Sequence, residues 1–197
     1  MATPKELVHA VARTSGVSEA TVIVHDRNLL MAGLRTEGQR GRGKSEVTFR
    51  DAAHLLMAVA ASRNVKDSAE VALTYGKLVA DRNIEIKHTV DNGQDTESLA
   101  DALTYLLEEL PRLLDSGIRL PGRSVVVRLY SMQPGATITW DIHGSKGTSN
   151  YKMERIYEGT EPYQFADLKF TSEFTNHTIE RVGSVVSGRW QRLLDAT

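Results

Sequence analysis

The chain has 197 residues, 41% of them hydrophobic and 25% charged, with a net charge of −1. That size suits one ordinary domain or two small ones, and the apolar fraction is enough for a buried core. With no cysteine there is no disulfide framework, no Cys-based zinc site and no thiol nucleophile, a composition that fits a reducing compartment.

The N-terminus MATPKELVHAV lacks a basic region followed by an apolar one, and no apolar run approaches the roughly 18 residues a membrane helix needs. A soluble, unprocessed cytoplasmic protein with no membrane partner is expected. Thr3, Pro4 and Glu6 form a helix start: Thr as N-cap, Pro at the first helical position, Glu three residues after the cap. The spacing of Leu7, Val8, Val11 and Ala12 predicts a helix over residues 4–14, and Gly16 supplies the freedom at positive φ that a tight turn uses. Ser18 caps a second helix, EATVIVHDRNLLMA, which stops at Gly33. Two short helices joined by about three residues that include a glycine form a helix-turn-helix arrangement.

These residues resemble the winged helix-turn-helix DNA-binding proteins over about residues 3–62. In AVARTSGVSEATV, Ala12 stands four residues before Gly16, with Val17 next and Val22 beyond, similar to that family's small residue, turn glycine and buried aliphatic. NLLMAGLR is similar to the point where a recognition helix closes on a glycine and leads into a β-wing. Ser15 and the adjacent Ile23 and Val24 depart from the pattern, since an apolar residue and a polar groove-facing one are usual there. The resemblance implies a recognition helix over the second helix and a wing after it.

The stretch GQRGRGKS, residues 38–45, admits two readings. Its spacing fits the phosphate-cradling pattern G-x-x-x-x-G-K-[ST], but such a loop leaves a buried strand and enters a helix directly. Here LLMAGLRTE precedes it, and Thr48 with Asp51 starts a new capping box that sets the next helix near Phe49. As a wing, a hairpin over residues 34–47 places Arg35, Arg40, Arg42 and Lys44 near a phosphate backbone or a minor groove. Charge agrees: residues 1–50 hold eight Lys and Arg against five Asp and Glu, whereas the remainder holds sixteen against twenty. A basic patch on a near-neutral body suits docking one face on DNA. In the preceding helix, Ser18 and Thr21 stand at the N-terminal end where hydroxyls meet phosphate, Arg27 and Asn28 are equipped to bond a guanine or adenine edge, and Glu19 to accept from cytosine.

Beyond the wing, RDAAHLLMAVAAS predicts an apolar helix for a core or a subunit contact, with His54 as a satisfied core or boundary histidine. A helix after Asp67 has Ala69, Val71, Ala72, Leu73, Leu78 and Val79 for its apolar face. A longer one over residues 96–114 carries Leu99, Leu103, Leu106, Leu107 and Leu110 until Pro111 bends or ends it. Composition shifts to strands near residues 117–123. SVVVRLYSM, a turn at Pro134 and Gly135, and ATITWDIHG read as a hairpin, with further strands at NYKMERIYE and ADLKFTSEF and a last helix from Asn176 that covers the sheet. Aromatic residues gathered here, Tyr151, Tyr157, Tyr163, Phe165, Phe170 and Phe174, read as core, with a ligand pocket as the other reading.

The expected fold is α+β. It divides into a winged helix-turn-helix over residues 1–62, a helical connecting or dimerisation region over 63–118, and an antiparallel sheet with a covering helix over 119–197 that serves assembly or a protein partner. The expected function is a sequence-specific transcriptional regulator that occupies double-stranded DNA as a homodimer, without a cofactor, a metal or catalytic residues. The six histidines are scattered, and no Ser, His and acid combination stands in a catalytic context. The alternatives are a DNA-packaging or recombination accessory protein, a small nucleotide-dependent enzyme using residues 38–45, and an interaction protein whose helix-turn-helix is only scaffold.

Overall fold

The computed structural model describes residues 2–37, 46–80, 98–117, 124–131, 134–142, 145–152 and 170–189. The described chain is α+β. Helix α1 (Pro4–Ser15) starts on the expected box: Thr3 Oγ1 accepts from the Glu6 amide at 3.3 Å, and Glu6 Oε2 accepts from the Thr3 amide at 2.7 Å. Gly16 follows at φ 73°, a backbone conformation that costs a residue with a Cβ. Ser18 caps α2 (Glu19–Met31), and a second box, Thr48 with Asp51, caps α3 (Phe49–Ala61). A 3₁₀ turn at Val65–Asp67 leads into α4 (Ser68–Gly76), then β1 (Val79–Ala80) and α5 (Leu99–Asp115). The remainder is β2 (Val125–Tyr130), β3 (Gly135–Ile142), β4 (Ser145–Lys152), β5 (Thr171–Thr175) and α6 (Asn176–Val186).

The strands form one antiparallel sheet in the order β1-β4-β3-β2-β5. The hairpin through Pro134 and Gly135 is present as β2 and β3, with Val125 opposite Trp140. Trp140 in turn stands opposite Gly147 on β4, where a Cβ would come within 2.2 Å of the indole, so the absent side chain is what lets the ring lie on the strand.

Helices α4 and α6 depart from expectation. Helix α4 stops at Gly76, so Leu78 is buried outside it and Val79 belongs to β1. Gly76 is a poor helix former, and a Cβ there would touch Ala100 at 3.4 Å and Met57 at 3.6 Å. Helix α5 passes through Pro111 to Asp115, close to the expected end at 114, and starts at Leu99 rather than at 96. Pro111 lacks the amide that the Leu107 carbonyl would use, and α6 closes on that spot: a Cβ on Gly183 would lie 2.0 Å from Leu107 O. Helix α6 accordingly packs chiefly on α5 and α1, with less contact to the sheet it was expected to cover.

One hydrophobic core runs through all three stretches marked off by composition. It joins Leu7 and Val11 of α1, Leu29 of α2, Leu55 and Met57 of α3, Leu103 and Leu107 of α5, Val127 and Leu129 of β2, and Ile179 and Val182 of α6. The leucine face of α5 is inside it, and so are Leu55 and Leu56 of the apolar helix. Those two faces, the expected subunit contacts, are therefore used within the chain. Among the described residues no helix is long and apolar enough to cross a membrane.

Candidate nucleic-acid interface

The segment GQRGRGKS, with Arg40, Arg42 and Lys44, lies outside the described residues. What holds its two ends is described. Neither residues 34–37 nor residues 46–47 form a strand. On the incoming side, His54 Nδ1 donates to the Leu34 carbonyl at 2.7 Å. The Thr36 amide donates to Asp51 Oδ1 at 2.8 Å, and its hydroxyl donates to the same oxygen at 3.2 Å. On the outgoing side, the Thr48 amide donates to Asp51 Oδ2 at 2.7 Å, and the buried Val47 donates its amide to the Ala2 carbonyl at 2.9 Å. One carboxylate, buried in the first turn of α3, thus ties both ends of the cationic segment and completes a capping box as well. An ionised acceptor taking three such bonds is strongly fixed, because charge-assisted hydrogen bonds are the stronger class.

Arg35, on the incoming side, is held inside the chain. Its Nε lies 3.0 Å from Asp26 Oδ1, with the two side chains only 9% and 12% exposed. The pair is a Coulombic contact rather than an aligned hydrogen bond. Burial raises the Asp26 carboxyl above its ordinary range, more than the Arg35 guanidinium lowers it. An arginine so placed is a stem residue and is not presented to a phosphate.

Helix α2 turns its polar inner face to the 3₁₀ turn. Asn28 Nδ2 donates to the Val65 carbonyl at 2.7 Å. The Ser68 hydroxyl donates to that same carbonyl, so its oxygen accepts from His25 Nδ1 at 2.8 Å, which fixes the imidazole proton on Nδ1. Burial lowers the His25 pKa. Asn28, expected at a base edge, thus faces inward.

Ser18 and Thr21 share a 2.7 Å hydroxyl contact, and Ser18 Oγ caps the Thr21 amide at 3.2 Å. Glu19 meets His9 Nδ1 at 3.2 Å. Arg27 is exposed, and the helix face around it carries Ala20, Ile23, Val24 and Met31 in water. The structure therefore gathers apolar side chains on the outer face of α2, where only Glu19 and Arg27 bring polar groups. The two aliphatics at positions 23 and 24 were the sequence signal for this.

The phosphate-loop spacing finds no supporting frame. Helix α2 is the regular element before residues 38–45, and α3 begins at Phe49 with Thr48 as its cap, past Lys44 and Ser45. A nucleotide-binding loop requires a strand before it and a helix N-terminus at its Lys and Ser.

A separate cavity of about 600 Å³ lies between the end of α1, α3, β5 and the start of α6, lined among others by Ser15, Leu56, Val59, Phe174 and His177. Among the described residues no cluster of three or more His, Asp and Glu side chains could hold a metal ion. Compared with known proteins, the chain matches no family model, no curated protein and no solved structure.

Proposed function

We propose that this protein is a DNA-binding transcriptional regulator of winged helix-turn-helix organisation that acts by occupying its site, with the cation-rich segment of residues 38–45 as its main DNA contact. The observation that carries this reading is the double tie made by Asp51. A short segment bearing Arg40, Arg42 and Lys44 between glycines is secured at both ends, through Thr36 and Thr48, to one turn of a helix in the core. Fixing the two ends of a cationic segment lowers the entropy lost when it settles on a phosphate backbone. Glycines between the arginines let the backbone approach a narrow minor groove, whose potential attracts guanidinium groups.

The contact set differs from one centred on a recognition helix. Hydrogen-bond donors and acceptors are what read base edges in the major groove, and the outer face of α2 offers only Glu19 and Arg27 for this among Ala20, Ile23, Val24 and Met31. Asn28 and Arg35 are engaged inside the chain. Arg40, Arg42 and Lys44 therefore carry the binding in this reading, and Ser18 and Thr21 at the start of α2 are secondary.

Selection of duplexes from a random DNA pool tests the reading. The protein is expected to enrich a shared motif, and the variant with Arg40, Arg42 and Lys44 all replaced by alanine is expected to enrich none. Recovery of no motif by the unaltered protein, or of the same motif by both proteins, would overturn it.

A further inference from the structure

The outer face of α2 holds three of the seven large apolar side chains that are exposed among the described residues: Ile23 at 51%, Val24 at 44% and Met31 at 77%. The other four are dispersed over α4, α5 and the approach to β5. Ala20, Ile23, Val24, Arg27 and Met31 recur at intervals of three and four, which sets them on one side of the helix. The opposite side is closed, with Val22 and Leu29 in the core, Asn28 bonded to the 3₁₀ turn and His25 to Ser68 at the start of α4. A contiguous apolar stripe on an otherwise well-buried helix marks a contact surface rather than scattered surface hydrophobes.

We infer that this stripe is the surface on which two copies of the chain pair, with their α2 helices antiparallel about Ile23. Charge selects this occupant. Glu19 and Arg27 flank Ile23 at equal distances, one helical turn to either side, on the same face. A two-fold axis through Ile23 brings Glu19 of each copy against Arg27 of the other, so the pairing is self-complementary, as an isologous contact requires. Arg27 has no ion-pair partner among the described residues. Glu19, whose present partner is the exposed His9, keeps a carboxylate side chain 44% exposed for a second contact.

Ala20 is small enough to let the two helices approach. Ile23 and Val24 meet their counterparts at the axis, and Met31 extends over the start of the other α2. A membrane surface is a poorer match, because an interfacial helix borders its apolar stripe with several cations and this one has a single arginine and a glutamate. The pairing does not depend on DNA binding, and it takes over the role expected of the leucine faces of α3 and α5, which the core occupies.

Sedimentation of the full chain over a range of micromolar concentrations tests this. The unaltered protein is expected to show a reversible monomer–dimer equilibrium. Arg27→Glu alone, or Glu19→Arg alone, sets like charges together in both symmetry-related contacts and should raise the dissociation constant at least about tenfold. The combined Glu19→Arg, Arg27→Glu protein should return to within about threefold of the original, which only a reciprocal contact between these two residues produces. Ile23→Glu should leave a monomer with an unchanged helical circular dichroism spectrum, since the position is in water in the single chain. A monomer throughout, a dimer indifferent to these changes, or failure of the combined exchange to restore pairing would overturn the inference.

Discussion

At the scale of single residues, the described N-terminal half is organised by buried polar groups that each answer a neighbour. Arg35 offsets the charge of Asp26, and both side chains are nearly out of water. Removing the cation leaves a carboxylate with its desolvation uncompensated, so Arg35→Ala should lower the stability measured by urea unfolding by about 3 kcal/mol near neutral pH. Because burial already holds the Asp26 pKa high, mild acid neutralises the orphaned carboxylate, and the loss should shrink as pH falls. A cost of less than about 0.5 kcal/mol, the range of ordinary surface changes, would mean that the pair is solvated.

His25 and His54 act in the other direction. Burial is the first cause that lowers both below the ordinary 6.5, and for His54 the nearby Arg50 adds to it, against the Leu34 carbonyl and Asp51. A depressed folded-state pKa means that the neutral ring stabilises the fold fully above about pH 6.5 and that this stability is lost as pH falls below it. Melting temperature should therefore drop between pH 7 and pH 5, and less steeply in His25→Gln, whose amide can still donate to Ser68. Equal slopes in the two proteins would remove His25 from this account.

At the scale of elements, helix starts were the most legible feature of the sequence. Thr3 with Glu6 and Thr48 with Asp51 mark α1 and α3 because a capping box is a local signal, complete within four residues. Helix ends were less so. The passage of α5 through Pro111 depends on α6, whose Gly183 brings backbone against Leu107 and Pro111, and neither helix alone announces it. The same holds at the candidate interface. The cations of residues 38–45 and the aliphatics of α2 are plain in the sequence. That Asn28 turns inward to Val65 and Arg35 to Asp26 follows only once the 3₁₀ turn and the stem are in place. The crossing of α5 and α6 is itself testable. Gly183→Ala puts a methyl where a carbonyl oxygen stands 2.0 Å away. The helices must part, at a cost of about 1–3 kcal/mol by denaturant unfolding. A neutral or stabilising substitution, as alanine would be on an open helix face, would contradict that close approach.

At the scale of the whole molecule, one α+β core anchors both ends of the cationic segment. Helices α1, α3, α5 and α6 and strand β2 share one buried cluster, and Asp51, at the edge of it, holds the stem of the cationic segment. The whole chain carries −1 and residues 38–45 carry +3, so the body itself is at −4, and affinity for DNA should depend on that one segment rather than on a general basic surface. The dependence of binding on salt measures this most directly. With duplex DNA carrying the selected motif, the logarithm of the association constant should fall linearly with the logarithm of salt concentration. Replacing Arg40, Arg42 and Lys44 together by alanine should reduce the slope by about 2.7, roughly 0.9 for each phosphate no longer neutralised, with the melting temperature unchanged. An equal slope in the two proteins, or no binding by the unaltered one, would contradict the assignment of residues 38–45 to DNA.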